Sequence, residues 1–492
     1  MKIALKARKF LAGLILLAFL ALFVRFDSFS SLSILTQIQL IPALISGGML
    51  TVLAIILITL FTGRIYCSLL CPLGLIQDLM ARVGRIFRKN GPGFLAPRFF
   101  LHIILAGLTA TLAIIGFMPA LAICEPFALA GRLMTNLVQP VLSYLMWLVG
   151  YGLEGANWFN KARVNPVDSH SVFIVATIAT ALFLVVLRFG RIYCNLFCPL
   201  GALLRVLASF SVFRLQIDGT GCTGCGKCAR NCKAGCIDLE KRQIDFSRCV
   251  VCLNCIDSCS FNAIALKPGF GSNRTDFSPE RRALIGSAAT AAITTLLPIA
   301  LPAPARAANR ILPPGAGNSS EFAKKCISCH LCISACPSAI ITVAVPQFAA
   351  GSLAQPELKF TRGMCEQTCN VCTTICPTGA IAPVSLEEKK TLKIAEVEYI
   401  KKLCVVETDG KDCGACAEHC PTKAVKMVPY RNNLMIPEVD PGICIGCGSC
   451  EHICPVRPQK AIFVNPIEQQ HHIKLPEAKP LQDAGPLEDF PF

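Results

Sequence analysis

Cysteine spacing constrains this chain more than any other feature of its sequence. Of the 30 cysteines among 492 residues, 24 fall into six runs of four. Disulfide scaffolds are short secreted chains, whereas three closely spaced thiolates and a more distant fourth hold the irons of a cubane cluster. The runs therefore predict six 4Fe-4S clusters. Their completeness disfavours zinc, which also binds isolated C-x-x-C pairs.

The first two runs lie within residues 215–270, which are predicted to form a two-cluster ferredoxin domain. Their cysteines are Cys222, Cys225, Cys228 and Cys232, followed by Cys249, Cys252, Cys255 and Cys259. In such pairs the fourth cysteine of each run ligates the other cluster, which assigns Cys259 to cluster one and Cys232 to cluster two. Neither run has the usual proline after its last cysteine, and Cys236 remains an alternative to Cys232 as a ligand.

Four further runs lie within residues 311–466 and supply sixteen more candidate ligands. They are Cys326, Cys329, Cys332 and Cys336; Cys365, Cys369, Cys372 and Cys376; Cys404, Cys413, Cys416 and Cys420; and Cys444, Cys447, Cys450 and Cys454. Short extended stretches at 340–345 and 461–464 are typical of the α+β units of bacterial-type ferredoxins. The segment from Cys326 to His330 matches the haem-attachment signature C-x-x-C-H, but its cysteines belong to a cluster run. No haem and no flavin are therefore expected, and residues 467–492 form a Pro-rich tail.

Composition predicts that part of the chain is an α-helical membrane domain. Only 16% of the residues are charged and the mean hydropathy is +0.55, whereas soluble domains carry about 25% charged residues. Apolar runs near the length that a bilayer requires predict spans at 9–26, 40–61, 99–123 and 171–187. The uncharged stretch 135–153 is predicted to be periplasmic or re-entrant. Basic residues between 64 and 89 predict that the amino terminus and this loop are cytoplasmic.

The formal net charge of +16 does not indicate nucleic acid as a partner. If each cubane with its four thiolates contributes about −2, six of them cancel roughly twelve positive charges. The remaining basic excess includes the cytoplasmic flanks of membrane helices.

An internal repeat defines the first 214 residues. Residues 63–74 recur as residues 190–201 with ten of twelve positions identical, and each copy contains a C-x3-C-P turn. Two parallel repeats of this kind tend to form a site at their interface. Cys67 and Cys71, like Cys194 and Cys198, would share one helical face if both lie in a helix. The four thiols are either a metal or redox site, or small buried side chains that pack against a proline-terminated turn.

A segment between the two cysteine-rich parts is predicted to cross the membrane. Arg281 and Arg282 precede an alanine-rich, weakly hydrophobic stretch that ends at residue 301, and Ala305-Arg306-Ala307 follows. This pattern is typical of a twin-arginine export signal, and an ordinary fifth helix is the alternative. Both interpretations move residues 311–466 to the periplasm and make residues 271–310 a linker.

The motifs carry a specific resemblance. Residues 1–270, with paired C-x3-C-P turns and a two-cluster ferredoxin, resemble NapH-type quinol dehydrogenase components of periplasmic nitrate reductase systems. Residues 281–466 resemble the exported four-cluster NapG-type components, so the chain is similar to a fusion of the two. The resemblance implies a multi-pass protein of the bacterial inner membrane. Its first ferredoxin domain would be cytoplasmic and its second periplasmic, and electrons would pass from the quinol pool to a periplasmic reductase or cytochrome.

The same resemblance implies how the sixteen later cysteines pair. In four-cluster relatives the first run pairs with the fourth, and the second pairs with the third. Cys454 would then join Cys326, Cys329 and Cys332, while Cys376 would join Cys404, Cys413 and Cys416. Pairing between runs adjacent in sequence is the alternative.

Two other functions remain open from the sequence. C-x3-C-P turns beside a cytoplasmic ferredoxin also occur in proteins that resemble copper-oxidase assembly reductases, so a metal-handling or maturation factor is one alternative. The other alternative is the same electron-transfer protein with the opposite direction of electron flow, from a periplasmic donor to quinone. Arg64, Arg191, Tyr66 and Tyr193 are candidates for contact with a quinone head group, or anchors at the membrane interface. No nucleophile-base set or nucleotide loop is present, so the chemistry is confined to one-electron transfer by the cofactors. Whether the chain is itself an enzyme, as a quinol dehydrogenase-type electron-transfer component, is left open by the sequence.

Overall fold

The computed structural model describes residues 2–24, 30–87, 93–94, 99–114, 118–152, 169–269, 310–344 and 354–474. These residues form a helical unit (2–208), a first cysteine-rich region (213–269) and a second cysteine-rich region (310–474). The predicted export segment with Arg281 and Arg282, and most of the Pro-rich tail, lie outside the described residues.

The helical unit contains thirteen α-helices in its described part. They are α1 (Lys2–Val24), α2 (Ile34–Gln37), α3 (Leu40–Ser46), α4 (Met49–Thr62), α5 (Tyr66–Leu69), α6 (Pro72–Phe87), α7 (Phe99–Ile114), α8 (Met118–Cys124), α9 (Pro126–Leu133), α10 (Gln139–Gly152), α11 (Ser169–Phe189), α12 (Ile192–Leu196) and α13 (Pro199–Ala208). A 3-10 turn covers Ser30–Ser33, and a π-helical turn at Met134–Val138 joins α9 to α10. The stretch predicted to be periplasmic or re-entrant is therefore helical through residue 152.

Two of the helices in the described residues are long and apolar enough to span a bilayer, over Leu5–Val24 and Ser169–Phe189. The prediction of one continuous helix over 40–61 was wrong. Helix α3 ends at Ser46, Gly47 adopts φ 82°, and α4 begins at Met49. A left-handed glycine terminates a helix because it lets the chain turn away from the helix axis. Within 99–123 the described residues form α7 and part of α8, and residues 115–117 between them lie outside the described part of the chain.

Each C-x3-C-P turn contains a break between two helices. Cys67 lies within α5, whereas Cys71 lies just before Pro72, the first residue of α6. Cys198 is likewise the N-cap of α13, with φ −75° and ψ 115°, and its Sγ accepts the Gly201 N–H at 3.2 Å. The two cysteines of a pair therefore do not lie in one helix, so the condition for a shared helical face is not met. Proline at the first helical position starts a new helix rather than continuing the old one.

Two arginines hold the two turns together, because the arginine of each repeat forms hydrogen bonds with the other repeat. Arg64 of the first copy donates to the Cys194 carbonyl at 2.9 Å and to Asn195 Oδ1 at 2.8 Å. Arg191 of the second copy donates to the carbonyls of Cys67 at 2.7 Å and Gly74 at 2.8 Å. Both side chains are at most 1% exposed. Neither arginine is an interfacial anchor, because the guanidinium groups satisfy carbonyls at helix ends in the opposite copy.

The first cysteine-rich region docks against these turns. The Arg191 N–H donates to the Lys233 carbonyl at 2.9 Å, and Lys233 Nζ pairs with Asp78 Oδ2 at 2.8 Å. Gly63 adopts φ 80°, and a Cβ there would lie 2.6 Å from the Phe246 ring. Only glycine fits this contact, since both the backbone conformation and the space exclude a side chain.

Both cysteine-rich regions are built from short helices and two-stranded antiparallel sheets. The first contains β1 (Phe213–Ile217), α14 (Lys227–Arg230), β2 (Ile237–Asp238), β3 (Gln243–Ile244), α15 (Asn254–Ser258) and β4 (Ile264–Pro268). The second contains α16 (Ser319–Lys325), α17 (Leu331–Ala335), β5 (Ile341–Val343), β6 (Pro356–Leu358), α18 (Val371–Ile375), α19 (Leu386–Thr391), β7 (Leu392–Tyr399), α20 (Val405–Thr408), α21 (Ala415–Glu418), β8 (Val425–Pro429), β9 (Met435–Val439), α22 (Ser449–Ile453) and β10 (Ile462–His472). Strand β1 pairs with β4, β2 with β3, β5 with β6, β8 with β9, and β7 with β10. Such small α+β units match the fold that the cysteine spacing predicts.

The two cysteine-rich regions contact different ends of helix α1. Near its start, Lys9 lies 4.0 Å from Asp257 of the first region. Near its end, Phe23 belongs to a buried cluster that includes Ile327 and Leu331 of the second region. Lys9 and Phe23 are separated by about 21 Å along the helix axis at 1.5 Å per residue. The helical unit therefore lies between the two regions.

Replacing Gly201 with alanine should destabilise the interface between the repeats. A Cβ at residue 201 would overlap the Cys194 carbonyl oxygen and lie 3.1 Å from Arg64 Nη2. Overpacking of this kind costs about 1–3 kcal/mol, so Gly201→Ala should lower the thermal unfolding temperature of the purified chain. Gly107→Ala is the matched control, because nothing lies within 4 Å of a Cβ at that helical position. Equal unfolding temperatures for both variants would contradict the close approach.

Candidate iron-sulfur sites and the thiols between them

Two groups of thiols form in the first cysteine-rich region. In group I, Cys228 has Cys222 and Cys225 as its neighbouring thiols. Lys227 Nζ donates to Ser260 Oγ at 3.3 Å, which brings the chain at Cys228 near that at Cys259. In group II, the thiols of Cys232, Cys249, Cys252 and Cys255 line one cavity. These groupings match the crossed arrangement that the spacing predicts, with the last cysteine of each run near the other run.

Cys236 lies beside group II rather than replacing one of its members. Its Sγ is 3.6 Å from Cys232 Sγ, and both residues line the group II cavity. The hydrogen bond from Cys236 lowers the pKa of the Cys232 thiol. Thiolate is the form that binds metal, so Cys236 fits the role of a hydrogen-bond donor to the ligand Cys232.

The second region begins with a pair of groups built from its first two runs. In group III, burial raises the pKa of Cys332 strongly, and the thiols of Cys329, Cys326 and Cys376 raise it further. Group IV consists of Cys336, Cys365, Cys369 and Cys372, in which Cys372 has the other three as neighbours. The last cysteine of each run thus lies near the first three of the adjacent run.

The last two runs form a second pair in the same way. Group V consists of Cys420, Cys444, Cys447 and Cys450, and the pKa of Cys450 is raised by burial and then by the other three thiols. Group VI consists of Cys404, Cys413, Cys416 and Cys454, which line one cavity. The nested pairing implied by the resemblance, in which Cys454 joins the first run, does not occur in the structure. Each run pairs instead with its neighbour in sequence, because the two runs are held within one compact α+β unit.

The surroundings of these thiols fit clusters that carry negative charge. Arg310 is 5% exposed, its Nε and Nη1 atoms have no hydrogen-bond partner among the described residues, and its charge acts on Cys326. Lys389 is 6% exposed and donates to the backbone carbonyls of Glu366 and Cys369 beside group IV. Burial of a cation is costly unless an opposite charge lies nearby. A cubane with four thiolates supplies that charge.

Backbone N–H groups also point at several sulfur atoms. The Val251 N–H lies 3.4 Å from Cys249 Sγ, and the Ile381 N–H lies 3.5 Å from Cys376 Sγ. Such bonds orient and stabilise thiolate ligands. Within the described residues no three His, Cys, Asp or Glu side chains converge closely enough for a single metal ion. Cubane ligands need no such convergence, since each thiolate binds a different iron.

The six groups follow one another through the molecule. Groups I and II are built from the same two cysteine runs. The same holds for groups III and IV, and for groups V and VI. Groups IV and V touch, because the Cys365 N–H donates to the Cys447 carbonyl at 2.9 Å. Group III lies against the helical unit, where a Cβ at Gly131 would overlap the Cys329 carbonyl. Group II lies against the other side of that unit, where Lys233 and Arg191 act electrostatically on Cys252.

His330, the histidine of the haem-like signature, lies buried at the contact between the second cysteine-rich region and the helical unit. The His330 side chain is 2% exposed. Its Nδ1 lies 3.1 Å from Asn136 Nδ2, and its Nε2 lies 3.0 Å from the Ala354 carbonyl oxygen. Gln139 Nε2 donates to the Ser334 carbonyl at 3.2 Å in the same interface. His330 therefore joins the second cysteine-rich region to the helical unit.

The four repeat cysteines come together between groups II and III. Cys198 has Cys194, Cys71 and Cys67 as its electrostatic neighbours, and all four thiols are 4–5% exposed. We call Cys67, Cys71, Cys194 and Cys198 the thiol quartet. Around it lie polar groups that the sequence did not single out. Cys194 Sγ donates to Gln77 Oε1 at 3.7 Å, and His102 Nε2 lies 2.8 Å from the Cys198 carbonyl oxygen.

The two tyrosines considered as quinone contacts are engaged within the protein. Tyr66 donates to Gln39 Oε1 at 2.7 Å, and Tyr193 donates to the Cys124 carbonyl at 2.9 Å. Asp78 in α6 is the ion-pair partner of Arg191, but the two residues are 113 positions apart, so no local spacing indicates the pair. No sequence signal marks His102, whose place depends on how the helices pack.

Two family models match the chain. One, described as a 4Fe-4S binding domain, matches residues 46–90 and 171–218, which contain the two C-x3-C-P turns. The other, described as a 4Fe-4S dicluster domain, matches residues 325–405 and 411–457. The matched ranges thus cover both repeats and most of the second cysteine-rich region.

Curated relatives match about a third of the chain. The "Methylamine utilization ferredoxin-type protein MauM" of Methylophilus methylotrophus is 35% identical over 177 residues, which are 34% of this chain and 74% of the relative. The chain belongs to the ferredoxin-type iron-sulfur proteins. The "Ferredoxin-type protein NapG" of Escherichia coli K12 is 30% identical over 181 residues, or 34% of this chain and 77% of that protein. These relatives are ferredoxin-type electron-transfer proteins with 4Fe-4S domains, so iron-sulfur electron transfer is the activity of this family.

A further relative covers more of the chain at lower identity. The "Putative electron transport protein YccM" of Escherichia coli K12 is 28% identical over 192 residues, or 39% of this chain and 47% of that protein. No solved structure matches the chain.

Iron counting in double variants tests the pairing of the later runs. Each cubane contains about four irons, so Cys329→Ser and Cys376→Ser should each lose one cluster if they are ligands. Because both residues belong to group III, the double variant should lose about four irons and not eight. Cys329→Ser combined with Cys454→Ser should lose about eight, since Cys454 belongs to group VI. The reverse result would restore the nested pairing and contradict the groups described above.

Proposed function

We propose that this ferredoxin-type protein is a membrane-bound iron-sulfur conduit that passes electrons from the quinol pool to a periplasmic reductase or cytochrome. Its cofactors would be six 4Fe-4S clusters, held by the 24 cysteines of groups I to VI. Each cluster, when bound, supplies a one-electron carrier. The protein's own residues hold the thiolates in position, bury them from water and place cations beside them.

The observation that carries this proposal is the order of the thiol groups. Groups I and II lie at one side of the helical unit and groups III to VI follow one another from the other side. Cys365 contacts Cys447 between groups IV and V, and Cys329 lies against Gly131 at the helical unit. A linear series of this kind suits electron transfer over a distance. A maturation factor has no evident use for four groups in series.

We further propose that the helical unit is a membrane domain over residues 1–214 and that α1 and α11 span the bilayer, in place of the four spans predicted from the sequence. The two long apolar helices, the basic residues near the start of α1 and the contacts at its different ends support this arrangement. The domain at 215–270 would then be cytoplasmic and the one at 311–466 periplasmic, with the linker 271–310 crossing between them. The resemblance to a fusion of NapH-type and NapG-type components supports quinol as the donor and a quinol dehydrogenase-type role.

Quinol oxidation gives the first test of this function. Reduced menaquinol or ubiquinol added anaerobically to the purified full chain should bleach the absorbance of its clusters. The same sample should contain about twenty-four irons per chain. Full iron content without bleaching by either quinol would overturn the quinol-linked conduit, and about sixteen irons would remove one cluster-bearing domain.

Reporter fusions test the proposed topology. A reporter that is active only in the periplasm should be active after Phe492 and silent after Leu266, because the two cluster domains are proposed to face opposite compartments. If residues 281–307 are a twin-arginine signal, changing Arg281 and Arg282 to lysine should block export of the downstream domain. Inverted reporter activities would contradict the orientation.

A further inference from the structure

We propose that a cavity between the helical unit and the first cysteine-rich region binds a phosphate-bearing anion. The site goes beyond the proposed function, because its ligand is neither a cluster nor quinol. The cavity volume is about 350 Å³, and small-molecule sites in proteins typically measure about 300–1,000 Å³. We call it the basic cavity. Its lining residues are Lys9, Arg82, Asn231, Lys233, Asn254, Asp257 and Ser258.

Every described side chain that lines the basic cavity is polar or charged. Lys9 comes from α1 and Arg82 from α6, whereas the other five residues belong to the first cysteine-rich region. Sites for apolar ligands, including a quinone ring, are lined mainly by hydrophobic and aromatic side chains. The lining therefore favours a charged occupant.

Positive charge exceeds negative charge around this cavity. Three cations line it with a single carboxylate: the cations are Lys9, Arg82 and Lys233, and the carboxylate is Asp257. Lys233 Nζ also lies 2.8 Å from Asp78 Oδ2 outside the lining, but Arg191 binds the same carboxylate at 2.6 Å. One carboxylate cannot neutralise two cations, so the occupant that this charge balance favours is an anion.

Lys9 and Arg82 have charge available for a ligand. Lys9 Nζ lies 4.0 Å from Asp257 Oδ2, and the two side chains are 40% and 50% exposed. An ion pair this long and this exposed contributes little. Arg82 is exposed and forms no ion pair within the part of the chain that the structure describes. Guanidinium and ammonium groups are the side chains that bind phosphate oxygens in proteins.

The position of the cavity indicates what the bound anion does. Asn231 and Lys233 flank Cys232 in sequence, and Asn254 directly precedes Cys255. The chain that carries group II therefore forms one wall of the cavity, and two helices of the helical unit form the other. An anion between these walls bridges them and stabilises the docked arrangement, because a ligand stabilises the state that binds it.

Two sources supply a phosphate-bearing anion. Lys9 lies within the apolar segment Leu5–Val24, which is long enough to span a bilayer, so the headgroup of an anionic phospholipid is one source. Free phosphate is the other.

Two binding measurements on the purified full chain distinguish the sources. Calorimetric titration with inorganic phosphate tests the free anion. Native mass spectrometry with phosphatidylglycerol and phosphatidylcholine added in equal amounts tests the headgroup. Phosphate binding alone identifies a soluble anion, whereas selective retention of phosphatidylglycerol alone identifies a lipid. Both results together identify the phosphate group itself as the recognised element.

Variants of the lining assign the binding to the basic cavity. Lys9→Gln and Arg82→Gln should each weaken it by about tenfold or more, as expected for the loss of one charge-assisted hydrogen bond. Lys241→Gln is the matched control, because Lys241 is an exposed cation of the same cysteine-rich region that does not line the cavity. It should bind as the wild-type chain does. Absent binding of both probes, binding that the two cavity variants leave unchanged, or equal weakening by Lys241→Gln would each overturn the proposal.

A measurement on the wild-type chain keeps the test decisive if a variant folds poorly. Its thermal unfolding temperature should rise with phosphate more than with chloride at equal ionic strength, or with phosphatidylglycerol more than with phosphatidylcholine. Equal temperatures within both comparisons would overturn the site. None of these readouts depends on quinol, so their failure would leave the proposed electron-transfer function intact.

Discussion

Two buried arginines hold the two repeats of the helical unit together by reciprocal hydrogen bonds. Arg64 and Arg191 each donate to backbone carbonyls of the opposite repeat, and hydrogen bonds from a charged donor contribute about 1.5–3 kcal/mol each. They fix the turns that carry the thiol quartet. They also fix the surface on which the first cysteine-rich region docks, because Arg64 reaches the Ser247 carbonyl at 3.4 Å.

Charge compensation explains much of the remaining organisation. Arg64, Arg310 and Lys389 are each nearly inaccessible to water, and each acts electrostatically on a cysteine, with Glu357 as a further negative charge near Arg310. The basic excess of the sequence is thus partly internal and lies where thiolate-bound iron would place negative charge. Arg191 differs, since Asp78 compensates it directly, and Lys233 joins the same carboxylate.

The pairing of the later cysteine runs shows a limit of inference by resemblance. Spacing identifies sixteen cysteines as candidate ligands but does not tell which run supplies the fourth member of each group. That choice depends on which helices and strands pack together. The sheet of β7 and β10 and the contact of Cys365 with Cys447 bring the two halves of the second region side by side. Each half of the second region then forms its two thiol groups from its own two cysteine runs.

The ferredoxin character of the chain and the existence of two matched turns follow from the sequence alone. The spacing of the cysteines and the identity of ten of twelve positions between the two repeats are properties of short segments. Both can therefore be recognised without a structure. Tertiary structure decided what lies between them. The break at Gly47, the separation of Cys67 from Cys71 by a helix end and the docking of His330 on Asn136 depend on helix packing. The convergence of the quartet depends on two arginines that are 127 residues apart, and no local pattern specifies which carbonyls they reach.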